Sequence, residues 1–322
     1  MTTLLLAAYA ALLLAVAGPR LGRARWVVRA PGLGLFAWQM WCAAVVTGAT
    51  LAGATAVLHW DNTHDLVCRA WQVCLDALLG AHGVAAQAVA AAGAALLGAA
   101  AVRLGLAGWR LARAEGRQRR RLRGMLSRTG RRLPGLGVIV VPADEPAAYL
   151  LPGGGVRDVV VTSAAVDHLT GEQLQAVAAH EQAHATGGHY RLVRTARLLD
   201  RAFPWVSCFG TAVRQVHRLV ELRADDVAVR RTPPIVLAHA LVALAEARVQ
   251  QAGAHAAGRP GTGDTGPLLA ADGGDATERL HRLLYRPRPL PRALTGVAVG
   301  LFALLPLLPV LIAALERSPL AP

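Results

Sequence analysis

His180-Glu181-Gln182-Ala183-His184 is an H-E-x-x-H pentapeptide in a stretch whose other residues read as an amphipathic helix. Two histidines four apart share one helix face, so both imidazoles can ligate one metal, while the glutamate one step round reaches a metal-bound water. That combination of two ligands and a base points to zinc-dependent peptide hydrolysis. With 11 His and 8 Glu in 322 residues, chance supplies such a match only about 0.01 times. The competing reading is a helix surface carrying two solvated histidines.

The flanking residues favour a core helix. Thr170 followed by Gln173 makes a T-x-x-Q capping box, and Gly187-Gly188 supplies a stop. Leu169, Leu174 and Val177 provide an apolar stripe that would hold buried imidazoles rigidly. A catalytic zinc takes three protein ligands and keeps one position open, so a third ligand must come from elsewhere. Glu221 is the candidate, in a segment from Ala212 to Arg230 with helical periodicity and no Gly or Pro. Asp225 is four residues on and shares its face, so one carboxylate can bind metal while the other accepts the N–H of a ligating imidazole. Asp225 takes that outer role. A solvated acidic face pairing with Arg218 or Arg223 is the reading for Asp226 and the alternative for Glu221.

These residues resemble a known group. The run Ala148-Tyr149-Leu150-Leu151-Pro152-Gly153, then Val159 to Ser163, then Leu169 through His184, and finally Glu221-x-x-Ala224-Asp225 is similar to integral-membrane gluzincins over roughly residues 134 to 230. Two branches compete: BlaR/MecR-type sensor-transducer peptidases, and the HtpX and CAAX-prenyl-protease branch. In both, the resemblance implies one Zn2+ held by His180, His184 and Glu221, a general base at Glu181, and an edge strand at Tyr149, Leu150 and Leu151 along which substrate backbone aligns. A basic residue after the third ligand helps hold such sites or stabilise the oxyanion, and Arg279 is the nominee; a solvated or lipid-facing arginine is the alternative. His189 and Tyr190 follow the motif closely enough to line a cleft and are read as structural or as outer partners of the ligands.

Composition points to the membrane. The chain is 54% hydrophobic with mean hydropathy +0.39, yet its net charge is +14, so apolar and basic residues must be segregated. Uncharged runs occupy about 2–18, 34–58, 83–102 and 293–315, each near the ~20 residues that span a hydrocarbon core. The first could be a cleaved signal, but no Lys or Arg precedes it. Arg20, Arg23, Arg25 and Arg29 follow it instead, which places the N-terminus outside. The loop 59–82 is then external. Arg110, Arg113, Arg117, Arg119, Arg120, Arg121, Arg123, Arg128, Arg131 and Arg132 follow the third run and mark the cytoplasmic side. Aromatic interleaving is absent, so this stretch reads as juxtamembrane, near anionic lipid, with no direct nucleic-acid contact. Arginine without any lysine in an Ala-rich chain suggests a GC-rich, bacterial genome.

Cys68 and Cys74 fall in the external loop, where a disulfide could persist, and Trp60 and Trp71 suit its membrane interface. Residues 137–141 and 157–162 read as β-branched strands. Pro233 to Gln250 reads as a helix, 253–275 as a flexible loop, and Ala276 to Leu284 as a short helix.

The expected fold is an α-helical membrane protein with four transmembrane helices and an α+β gluzincin-type zinc peptidase domain inserted between spans three and four. Its parts are three spans within 1–108, a cytoplasmic zinc domain over 109–290, and a fourth span with a short external tail over 291–322. The expected function is a membrane-embedded zinc metalloendopeptidase of the cell membrane, its partners the lipid bilayer and a protein substrate, a DNA-binding repressor being one candidate. The BlaR/MecR-type resemblance lacks the external penicillin-binding sensor domain. A membrane-protein quality-control protease and a non-catalytic zinc-binding scaffold are the alternatives.

Overall fold

In the computed structural model, the residues described are 2–58, 82–151, 158–258 and 272–315. Cys68, Cys74, Trp60 and Trp71, most of the loop expected at 253–275, and the tail from 316 lie outside them. The chain begins with α1 (Thr2–Leu12), which continues through a π-helical stretch, Leu13–Ala17, into α2 (Gly18–Gly22). A 3-10 turn, Arg25–Val28, leads to α3 (Pro31–Leu58). Then comes α4 (His82–Thr129), a single helix of 48 residues and roughly 72 Å. The arginines expected after the third span therefore prolong its helix. Ala, Leu and Arg are strong helix formers and no proline interrupts them.

Three helices are long and apolar enough to cross a membrane, within Thr2–Gly22, Pro31–Val57 and Ala91–Thr129. At the C-terminal end, α11 (Arg292–Leu304) and α12 (Leu308–Leu315) are bent by 46° and make a fourth candidate if counted as one broken span. Pro306 sits in the break, where its missing N–H interrupts the helix. The Tyr9 hydroxyl donates to the Leu305 carbonyl there at 2.6 Å. Leu4, Leu96, Leu301 and Leu311 all stand more than half exposed on these helices, as side chains facing lipid would.

Between the third and last of these helices lies a four-stranded sheet, β1 (Arg131–Leu133), β2 (Val138–Val141), β3 (Ala148–Leu150) and β4 (Val159–Thr162), in the order β1-β2-β4-β3. β2 and β4 run parallel, with Val138 opposite Val159, and β3 is an antiparallel edge strand with Tyr149 opposite Val160. The all-valine start of β4 is wholly buried, because both sheet faces are covered. Val159 and Val161 pack under α6 (Gly171–Thr186) and α9 (Pro234–Gly258), whereas Val160, Tyr149 and Leu151 pack against Leu122 and Leu126 of α4.

After β4 the chain forms α5 (Ser163–His168), α6, α7 (His189–Ala202) and α8 (Ser207–Ala228). α9 and α10 (Asp272–Leu284) follow. Both enter the segment read as a loop: α9 runs on to Gly258 because its alanine-rich end is a good helix former, and α10 starts at Asp272. The soluble-looking helices share a core with the apolar ones. Trp38, Trp41 and Leu13 pack with Phe209, Val216 and Leu219 of α8, and the Trp41 indole N–H donates to the Leu13 carbonyl at 3.0 Å.

Candidate metal centre

α6 carries the pentapeptide, and its start is built locally. The Thr170 hydroxyl accepts the Gln173 N–H while the Gln173 side chain accepts the Thr170 N–H, the reciprocal pair that relieves orphan donors at a helix start. Leu174, Val177 and Ala178 fix the helix on the sheet. His180 and His184 emerge on one side with their Nε2 atoms 3.2 Å apart, facing α8.

α8 supplies the carboxylates. Glu221 Oε2 lies 3.3 Å from His180 Nε2, and Oε1 lies 3.4 Å from His184 Nε2. One turn on, Asp225 Oδ1 approaches His180 Nδ1 to 2.9 Å, at an angle off that of an ideal hydrogen bond. Arg279, from α10, grips Asp225 with two parallel hydrogen bonds, Nε to Oδ2 at 2.9 Å and Nη2 to Oδ1 at 2.8 Å, and its Nη1 stands 3.1 Å from Glu221 Oε2. Such bidentate pairing fixes direction as well as charge. Arg282 pairs with Asp226 and donates to the Val28 carbonyl, and Arg218 pairs with Glu278. Asp226 thus pairs with Arg282, where Arg218 or Arg223 is expected, and four arginine–carboxylate links, made by Arg218, Arg279 and Arg282, dock α10 on α8.

The edge strand meets the site through its backbone. The Leu151 N–H donates to the Asp158 carbonyl at 3.1 Å and the Thr162 N–H to the Ala147 carbonyl at 2.9 Å. In an antiparallel ladder the backbone groups alternate in direction, so Tyr149 and Leu151 turn theirs towards β4, and Ala148 and Leu150 turn theirs to the open edge. The Leu150 N–H donates to the Glu181 carboxylate. Of the three residues expected to align substrate, only Leu150 has its backbone groups on the open edge, its carbonyl unengaged by β4 and its N–H held by Glu181. Ala148 joins it, and the buried side chain of Leu151 packs with Val141 and Val160.

Burial and charge set the titration of the site. Burial pushes the Glu181 carboxyl up to about 7, with His180 pulling it down and Glu221 raising it further. Burial lowers His184 to about 3, against the pull of Glu221. Burial would lower His180 too, but the adjacent carboxylates of Asp225 and Glu221 outweigh it and raise it to about 9. Burial would likewise raise Glu221, yet His180 and Arg279 hold it well below the usual carboxylate range.

His180, His184 and Glu221 are the group among the described residues that could hold a metal. Their donors fit zinc. With Zn–N bonds of about 2.0–2.1 Å, a tetrahedron has edges of about 3.3 Å; the two Nε2 atoms are 3.2 Å apart, and each has one of the two Glu221 oxygens beside it, Oε2 at 3.3 Å from His180 and Oε1 at 3.4 Å from His184. The donor set, two imidazoles and a carboxylate, is also a catalytic one.

The profile of peptidase family M48 matches residues 112–285, more than half of the 322 residues and all of the side chains just described. The chain belongs to peptidase family M48. It is therefore a metallopeptidase, and its substrate is a protein. Neither a comparison with curated proteins nor one with solved structures gives a significant match.

His189 and Tyr190, which the sequence reads alike, separate here. His189, at the start of α7, is buried with Nδ1 3.0 Å from Nδ1 of His184. Tyr190 turns away to hydrogen-bond Glu115 of α4.

Proposed function

We propose that this M48 peptidase is a multi-pass membrane zinc metalloendopeptidase that cuts protein chains at the cytoplasmic face of a bacterial cell membrane. The observation that carries this reading is the convergence of His180, His184 and Glu221, one ligand atom from each within 4.8 Å of the others, next to Glu181. Zinc held there supplies Lewis acidity, polarising the scissile carbonyl and bringing a water within reach of deprotonation near pH 7.

The chain's own residues do the rest. Glu181 takes the proton of the attacking water and hands it to the leaving amine, as a general base and then a general acid. Asp225 orients His180, and Arg279 holds Asp225 while adding positive charge beside Glu221. The outward backbone groups of Ala148 and Leu150 take substrate in as an added strand. That mode selects side chains weakly, which suits a protease with many partners.

The layout proposed is three spans within 1–108, a catalytic segment over 109–290 and a last, bent span over 291–322. The quality-control reading asks only for an active site built against spans, as the shared core of α3 and α8 supplies. A transcriptional repressor as substrate, in a BlaR/MecR-type pathway, remains a second reading. It rests on the arginine-marked orientation and the order of spans and catalytic segment.

Purified full-length protein in detergent, assayed for zinc content and for cleavage of unfolded protein, tests the proposal. Wild type should hold one zinc per chain and cleave; Glu181→Gln should hold zinc and not cleave. Undiminished cleavage by Glu181→Gln would falsify it, and zinc without cleavage in wild type favours the scaffold alternative.

A further inference from the structure

His184 and His189 face each other through their Nδ1 atoms at 3.0 Å, with ring planes at 89° and centroids 4.9 Å apart. The residue His189 is 3% exposed. Two nitrogens at that distance share one proton, and ligation decides which ring owns it. When His184 gives its Nε2 lone pair to a metal, its Nδ1 can only be an N–H donor, so His189 Nδ1 accepts. His180 has a carboxylate in the equivalent place, Asp225 Oδ1 at 2.9 Å from Nδ1. The two imidazole ligands thus have outer partners of different charge.

The turn between α6 and α7 is shaped for this contact. Gly188 has φ 61°, the left-handed region that favours glycine, and reverses the chain so that His189 folds back against α6. Gly187 has φ −77° and ψ −8°, which any residue adopts. A Cβ there would lie 2.3 Å from His189 Nε2 and 2.6 Å from Cδ2, so the space that glycine leaves is filled by the His189 ring.

We infer that His189 is a positioning residue for the metal ligand His184, and that Gly187 is small to let it stand there. The inference rests on the zinc-site reading above. Accepting the Nδ1 proton fixes the tautomer and the ring angle of His184, leaving its Nε2 aimed at the donor triangle. Outer partners of this kind are worth about 10–100-fold in metal affinity.

The test is zinc affinity by chelator competition on full-length protein in detergent, for wild type, His189→Leu, His189→Asn and Gly187→Ala, with melting followed in parallel. The cobalt(II)-loaded forms give a spectroscopic readout. Asn places a carbonyl oxygen near the Nδ1 position and can accept the same proton. His189→Leu should weaken zinc by about 10–100-fold and alter the cobalt spectrum. His189→Asn should restore most of both, and Gly187→Ala should weaken zinc with His189 still present. Equal affinity in wild type and His189→Leu overturns the inference, as does equal loss in Leu and Asn, which marks a packing role. If His189→Leu fails to fold, the Asn and Gly187→Ala variants still decide. Wild type that binds no zinc overturns the metal site itself, an outcome distinct from these.

Discussion

Asp225 Oδ1 stands 2.9 Å from Nδ1 of His180 while the same carboxylate is clamped by Arg279 through two hydrogen bonds. One buried carboxylate therefore links a candidate ligand on α6 to an arginine on α10. The two substitutions should separate. Asp225→Asn keeps the shape and removes the charge, so zinc affinity should fall about 10–100-fold, read by chelator competition. Arg279→Leu leaves Asp225 buried beside an uncompensated gap, which costs about 3–5 kcal/mol; it should lower the melting temperature more than Asp225→Asn does. Unchanged zinc affinity in Asp225→Asn would remove Asp225 from the site.

Glu181 and His184 lie on the same helix but should fail differently. His184→Ala removes one corner of the donor triangle, so both zinc and cleavage should be lost. Glu181→Gln keeps all three donors and should lose at least about 10²–10⁴-fold in rate, the share of a general base. Treatment of wild type with a strong chelator should reproduce the His184→Ala state, and added zinc should reverse it. Zinc readdition that rescues His184→Ala equally well would argue against this ligand set.

What could be read in sequence were features whose cause is local. The Thr170–Gln173 box, the stop at Gly187-Gly188 and the four-residue spacing of Glu221 and Asp225 depend on neighbours along one helix, and all three lie in the expected elements. What escaped depends on distant pairing. Whether Tyr149 or Leu150 turns its N–H outward is decided by the register of β3 on β4, and a shift of one residue would exchange them. His189 reaches His184 only because the turn doubles back. Arg279 could be nominated but not placed, since α10 docks from across α9 through side chains distant in sequence. The length of α4 is hidden in the sequence because a change from apolar to arginine looks like a change of segment, although helix propensity is unbroken across it.

The alternation in β3 makes a prediction about substrates. A strand that adds to this edge can exchange hydrogen bonds with Ala148 and Leu150 and not with Tyr149. Successive N-methylation of a good peptide substrate should therefore hurt at every second position near the scissile bond. Losing one such hydrogen bond is worth about 0.5–1.5 kcal/mol, or roughly 2–12-fold in kcat/KM. A profile with no two-residue alternation would show that substrate does not dock here as a strand.

Orientation is the last point open to direct test, and the arginines of α4 make it a sharp one. Arg120 and its neighbours lie beyond the apolar part of a single helix, so the proposed layout and the positive-inside rule predict them on the cytoplasmic side. Leu315 ends the bent pair α11 and α12 and should emerge on the other side. In a background with the four native cysteines replaced by serine, Leu315→Cys should react with a membrane-impermeant thiol reagent on intact cells. Arg120→Cys should react only after permeabilisation. Labelling of Arg120→Cys in intact cells would put the catalytic triangle outside, where cytoplasmic proteins cannot be its substrates. Because α8 shares one core with α3, Glu221 stays beside this candidate span under either result.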